Sequence, residues 1–291
     1  YLRIKEPSIK WASIRAGMFD RPFGYEISYS SSTRETPQRS LLFQTLFPKE
    51  RDLGAEIVLT GPENSFLENF TLNAGIFTGN GGQAKETDSH KDFIGHLSYK
   101  KKINNISFGV GTSLYAGGVR LAGSEDQKAF KMNNKRFDQD TELEPEDYAK
   151  RCYYGFDGQF AIASLLGKTS LRAEYLWGTQ PGAAEGSKSP TGAIVNDIYV
   201  RNFNGYYLYF IQDIGKSNHS FVARYDRYDP NTKVSGNDCQ TIGDVAYSTI
   251  GLGWLFKVNT NLRVMAYYDM VSNEKVNNEL IAAKYNKNIS D

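Results

Sequence analysis

The sequence predicts an antiparallel, up-and-down β-barrel of the transmembrane kind, an all-β fold with about twelve strands visible. Three observations carry that prediction. Apolar and polar residues alternate in segments of roughly ten. The connections between segments are short and long in strict turn. No run of 18 or more apolar residues occurs, which excludes membrane-crossing helices but not strands. The mean hydropathy of -0.50 suits such a barrel, whose strands place every second residue in a wet lumen. The 19 Tyr, 17 Phe and 27 Gly, against 9 Pro and 2 Cys, favour sheet over helix and argue against a disulfide scaffold. A formal net charge of +1 points to no polyelectrolyte, so nucleic acid is not an expected partner.

The strands follow in order. YLRIK (1–5) opens the chain, and alternation returns at 11–19, 53–60, 70–78 and 92–100. ISFGVGTSLYAG (106–117) is the clearest: Ile106, Phe108, Val110, Thr112, Leu114 and Ala116 share one face, and Ser107, Gly109, Gly111, Ser113 and Tyr115 the other. Further strands are expected at 153–164, 169–178, 200–213, 219–228 and 246–257. NLRVMAYYDM (261–270) ends the series, with Leu262, Val264, Ala266 and Tyr268 opposite Arg263, Tyr267 and Asp269. Short links at 6–9, 101–105, 165–168, 214–218 and 258–260, and a somewhat longer one at 61–69, alternate with long ones at 20–52, 79–91, 118–151, 179–199 and 229–245. In an up-and-down barrel every second connection lies on the same rim, which gives tight periplasmic turns and long extracellular loops. A β-sandwich has no reason to segregate loop lengths in this way. A filled soluble barrel needs fewer strands, and no helices are evident to cover an open sheet. The whole chain, 1–291, reads as one barrel domain. It opens without Met or a leader and ends in the polar NKNISD (286–291), so a longer protein cut at both ends is expected.

Four stretches carry a family likeness: RAGMFDRPFGYE (15–26), LFPKERDLG (46–54), VARYDRYDPNT (222–232) and LRVMAYY (262–268). The first contains a Gly-x-Phe-x-x-Pro-Phe-Gly pattern at the end of a strand. Together, and in this order, they resemble the phosphate-selective porin O and P family. The resemblance implies a sixteen-stranded homotrimeric porin of the bacterial outer membrane, with phosphate as the favoured solute. The chain departs from that pattern in showing about twelve strands and no closing C-terminal strand.

Taking the apolar faces as lipid-facing places Arg15, Arg172, Arg224 and Arg263 in the lumen, where guanidinium forks would offer anions successive weak sites. Glu56, Glu174, Asp226 and Asp269 face inward by the same count, and simple pairing that keeps the pore wet is the favoured role for all eight. The long segment 20–52 holds Arg34, Arg39, Lys49 and Arg51 beside the apolar Leu41, Leu42, Phe43 and Phe47. It is expected to fold inward and narrow the pore; its alternative is an outward loop touching lipopolysaccharide or a sister subunit. DQDTELEPED (138–147) carries six carboxylates without EF-hand spacing, which favours a solvated acidic loop over a Ca²⁺ site. Cys152 and Cys239 both fall on the long-loop side and are candidates for a disulfide.

Other function classes fare worse. Only His90, His96 and His219 are available for catalysis. Neighbouring His219 and Ser220 would point to opposite faces of a strand, so they cannot form a nucleophile–base pair. No metal-ligand spacing or nucleotide-binding turn is present, and no cofactor is implied. The expected role is passive diffusion of small hydrophilic solutes, anions among them, with membrane lipid and lipopolysaccharide as surroundings and no enzymatic chemistry. A plugged barrel recruiting a partner, and a sugar path along NGYYLYF (204–210), are the alternatives; that tract reads better as an aromatic girdle.

Overall fold

Alternation makes each long strand two-sided, and hydrogen bonding each to its chain neighbour lines up those sides into two continuous faces. The structure, a computed structural model, describes residues 1–5, 8–82, 89–122 and 125–276. Parts of the 6–9 and 79–91 links and the whole tail 286–291 lie outside the described residues. The strands are β1 (Leu2–Lys5), β2 (Ala12–Asp20), β3 (Arg51–Thr60), β4 (Phe70–Phe77), β5 (Asp92–Ile103), β6 (Ile106–Arg120), β7 (Ala129–Asn133), β8 (Arg136–Gln139), β9 (Tyr148–Ser164), β10 (Gly167–Gly182), β11 (Ile198–Asp213), β12 (His219–Asp229), β13 (Tyr247–Lys257) and β14 (Arg263–Asn273). Twelve of them form one antiparallel up-and-down sheet in chain order, interrupted only by β7 and β8. Among the described residues β1 and β14 each pair on one side only, so the wall is curled but not closed.

The twelve wall strands are those the sequence predicts. β7 and β8 are not: they form a hairpin inside the segment expected to be a plain loop. Its turn residues Asn134 and Lys135 take φ of 44° and 70°, the left-handed pair that a two-residue hairpin turn requires. β7 lies parallel to β11, with Ala129 opposite Ile198, because Ala129, Val119, Leu121, Ala149 and Ile198 bury one another in a small apolar cluster over the rim.

The outer face carries Ile14, Met18, Leu53, Ile57, Leu72, Ile76, Leu97, Val110, Phe156, Leu208, Ile250, Leu252 and Trp254, all exposed. An exposed apolar face of that extent marks a surface that meets something other than water. The inner face holds the core: Phe19, Phe77, Ile94, Tyr115, Tyr153, Leu176, Phe203, Tyr207 and Leu255 come from strands all round the wall yet belong to one buried cluster. The 21–50 connection supplies the rest of that cluster. It contains a single short helix, α1 (Leu41–Leu46), whose N-cap Ser40 accepts the Phe43 amide. Leu42, Phe43 and Leu46 of α1 are buried.

Candidate functional site

The inner surface is shaped by how the 21–50 segment is fastened to it. Phe23, Ile27, Leu42, Phe43, Leu46 and Phe47 pack into the cluster of wall aromatics. The Phe47 ring meets Tyr153 at 5.8 Å and Phe43 meets Tyr207 at 6.0 Å. Polar contacts fix the register. The Gly24 amide donates to Ser113 Oγ at 2.9 Å, and the Glu26 amide donates to Glu174 Oε1 at 2.6 Å. Glu174 also accepts the Tyr207 hydroxyl. The Glu26 carboxylate accepts the Ser40 amide at 2.9 Å, the Ser40 hydroxyl at 2.5 Å and the Tyr209 hydroxyl at 2.8 Å. Gly24 has φ of 63°, and a Cβ there would lie 2.1 Å from Glu174 Oε2. Only glycine permits both the left-handed turn and the close approach.

The eight residues expected on the pore wall all occupy inward positions. Arg15 pairs with Glu56 at 2.7 Å. Arg172 holds Glu35 of the inward segment at 2.8 Å and the Tyr29 hydroxyl at 3.0 Å. Arg224 lies between Asp226, 3.0 Å away, and Asp269, 2.8 Å away. Arg263 donates to the Ser31 carbonyl at 3.0 Å. Of the inward-segment basic residues, two are staples within the segment. Arg34 donates to the carbonyls of Thr36 and Pro37 at 3.2 and 3.0 Å. Arg39 donates to those of Glu26 and Ile27 at 3.0 and 2.8 Å and pairs with Glu50. Lys49 is exposed. Arg51 needs correction: it begins β3 in register with Asp20, at an outward position, and pairs there with Asp20 at 3.1 Å. Side-chain alternation therefore takes Arg51 away from the lumen.

Cys152 and Cys239 are both free and buried, which corrects the candidate disulfide. Cys152 lies opposite Ala116 and Thr179 within the wall, whereas Cys239 packs with Val234 and Val245 in the rim. Burial pushes the Cys239 thiol up to about 12. His219 stacks on Trp254 and Phe256, while the Ser220 hydroxyl turns to Asp213 at 2.6 Å. His96 reaches Asp157 at 2.9 Å on the inner face. Among the described residues no cluster of His, Cys, Asp or Glu fit to hold a metal occurs, in the 138–147 stretch or elsewhere.

Two features of the inner face were not singled out in the sequence. Near the long-loop rim, Arg151 donates to Asp92 at 2.5 Å and to the Gly79 carbonyl at 2.9 Å. Tyr115 also donates to Asp92, and Asp52 accepts the Gly79 amide at 2.9 Å. These buried charges sit at inward positions, but sequence gives no sign of which will meet. At the short-turn end a cavity of about 390 Å³ is lined by Tyr25, Lys100, Lys102, Ser107, Gln159, Lys168, Ser170 and Arg172 among others. The run of lysines at 100–102 was its one sequence signal.

No protein-family profile matches the chain, and no curated protein does. Solved structures do show similarity. Pseudomonas aeruginosa OccK9 (OpdG) is 12% identical with a TM-score of 0.49, over 93% of this chain and 61% of that one. Pseudomonas aeruginosa OccK2 (OpdF) is 11% identical with a TM-score of 0.47, over 94% and 64%. Acinetobacter baumannii OccAB1 is 9% identical with a TM-score of 0.48, over 93% and 61%. The chain thus spans less than two thirds of the length of each.

Proposed function

We propose that the chain forms the wall and constriction of a bacterial outer-membrane channel through which small hydrophilic solutes diffuse. The observation that carries this reading is the two-sidedness of the sheet. One face is apolar and exposed around the wall, as lipid contact requires; the other bears charged side chains and a long segment folded against it. Transport of this kind needs no covalent chemistry: pore width and wall charge set selectivity. Long rim loops would meet lipopolysaccharide, and a homotrimer would follow the arrangement implied by the family resemblance.

Anion preference is the finer part of the proposal. Arg15, Arg172 and Arg224 are neutralised by Glu56, Glu35 and Asp226. Lys100, Lys102 and Lys168 line the cavity and make no ion pair among the described residues. Within the cavity lining the unbalanced charge is therefore positive. The test is single-channel current from the purified full-length protein in a planar lipid bilayer under a chloride gradient. Stable open steps with a reversal potential set by chloride are expected, and phosphate should block them if it is the preferred solute. A folded protein that gives no steps would overturn the channel.

A second reading has its own observation. The inward segment is packed through an apolar, aromatic cluster, as a fixed plug would be, so absent steps would favour a sealed barrel that recruits a partner through its rim.

A further inference from the structure

A row of cross-strand neighbours runs along the outer face near the long-loop end. Phe156 of β9 stands opposite Tyr175 of β10, and Tyr175 opposite Tyr206 of β11. Tyr206 stands opposite Arg227 of β12, Arg227 opposite Ser248 of β13, and Ser248 opposite Ser272 of β14. Alternation along each strand gives all six the outward side, which they share with the exposed Phe221, Ile250 and Met270. The row is thus aromatic over β9 to β11 and polar over β12 to β14. In the next row toward the short turns the same wall is apolar: Leu208, Tyr225, Ile250 and Met270 are cross-strand neighbours and all exposed. Arg227, Ser248 and Ser272 line a hollow of about 240 Å³, with Tyr247 and Glu274 among its other walls.

Arg227 differs from the arginines of the inner face. Arg15, Arg172 and Arg224 are each closed by a carboxylate at 3.0 Å or less. The Arg227 side chain is 49% exposed, and its one carboxylate neighbour among the described residues, Asp229, is 4.0 Å away. Asp229 also accepts the Asn231 amide at 3.1 Å. The acid within the hollow, Glu274, is turned to the amides of Gly236 and Ala246 at 2.7 and 3.3 Å. The guanidinium fork is therefore open to an anion from outside. An outward arginine is costly at the middle of a bilayer and tolerated at its edge, and Arg227 lies two residues from the long-loop end of β12. A planar fork flanked by two hydroxyl donors suits phosphate. The apolar row beneath suits acyl chains, from which a free anion would gain nothing. The two together describe an amphiphile with a phosphate at the head of its chains.

We propose that Arg227, Ser248 and Ser272 form a site on the outer wall for a phosphate of lipopolysaccharide, whose acyl chains lie over Tyr225, Ile250 and Met270. The inference deepens the outer-membrane reading and rests on it for the leaflet that the long-loop end meets. The test is native mass spectrometry of the folded full-length protein in detergent, titrated with lipid A and with lipid A stripped of its phosphates. Bilayer currents are recorded from the same preparation. Lipid A should bind about tenfold more tightly than the stripped form, the gap expected from one charge-assisted contact. Arg227→Leu, which extends the apolar face and leaves the wall able to fold, should remove that gap. Arg227→Lys should keep part of it, since the charge stays and the fork is lost. Ser248→Ala together with Ser272→Ala should narrow it, and Arg51→Gln, at an outward position already paired with Asp20, should leave it unchanged. Equal binding of the two lipid forms, Arg227→Leu that binds as the native protein does, or an equal loss in Arg51→Gln would each overturn the site. Displacement of lipid A by equimolar inorganic phosphate would overturn the lipid as its occupant. Open channels with equal binding of the two forms would leave the channel standing and the site refuted. Phosphate-dependent binding without channels would do the reverse.

Discussion

At the scale of single residues, which side chains act in the lumen follows from parity, and what they do there follows from neighbours that sequence does not reveal. Arg15, Arg172, Arg224 and Arg263 were legible as inward by counting along their strands. That Arg172 would be claimed by Glu35, 137 positions away, was not. The contrast between Arg39 and Arg51 is testable. Arg39 holds two carbonyls and Glu50 inside the inward segment, so Arg39→Ala should cost about 1–3 kcal/mol, the range for buried acceptors left without a donor. It should also raise channel conductance by loosening the segment. Arg51→Ala removes only an exposed pair with Asp20, worth about 0–1 kcal/mol, and should leave conductance unchanged. Denaturant unfolding and bilayer recording separate the two; equal effects on current would refute the outward placement of Arg51. The Cys239 thiol gives a pH prediction. Burial disfavours its thiolate and raises its value to about 12, so at a pH of about 8 it is protonated and a poor nucleophile, unlike a free thiol near about 8.5. Iodoacetamide should label Cys239 slowly in the folded protein and quickly once unfolded, as read by mass; rapid labelling of the native protein would contradict its burial.

At the scale of elements, period-2 alternation was enough to place every wall strand, because each has to present one apolar and one polar face. It failed for β7 and β8, which are five and four residues long, too short for alternation to stand out. Their position is fixed by partners distant in sequence: Lys135 pairs with Asp238 at 2.8 Å and its carbonyl accepts Gln240 at 2.6 Å. α1 was missed for a related reason. Six residues do not establish a helical period, and the helix is held by burial of Leu42, Phe43 and Leu46 against the wall. The wall strands yield a prediction of their own. Val110 is 55% exposed on the outer face of β6, next to the inward Gly109 and Gly111. Val110→Arg should cost about 2–4 kcal/mol if that face lies near the midplane of a bilayer. Val110→Leu should be nearly neutral there. Urea titration of folding into phosphatidylcholine vesicles measures both; an arginine tolerated as well as leucine would remove lipid from the outer face.

At the scale of the whole molecule, wall and inward segment are one structure, since their buried residues form a single cluster. The four stretches that resemble phosphate-selective porins fall at both ends of that segment and on β12 and β14, so they spoke to the architecture of the wall. They include Phe23 and Phe47 but give no sign of the interior packing, in which Phe23, Phe43 and Phe47 meet Tyr153 and Tyr207. This joint core decides between a constriction and a plug. The segment covers the inner faces of β6 and β9 to β12, where Tyr115, Tyr153, Phe203, Tyr207 and Tyr209 are buried. At the two ends of the sheet the packing is looser: Met265 and Tyr267 of β14 are only partly buried against the core, and Arg3, Arg263 and Asp269 lie outside it. Tyr29, Ser31 and Glu35 of the segment are tied to Arg172 and Arg263, and in the proposed channel a solute would pass on this side of the segment. Replacing residues 29–36 by a short Gly-Ser link would remove those ties and leave the Phe23 and α1 anchors in the core. If the segment is a constriction, single-channel conductance should rise while the folded wall survives, seen as an unchanged circular dichroism spectrum. Conductance that stays the same in a folded variant would move the path away from this segment; channels that appear only in the variant would show that the native segment seals the barrel.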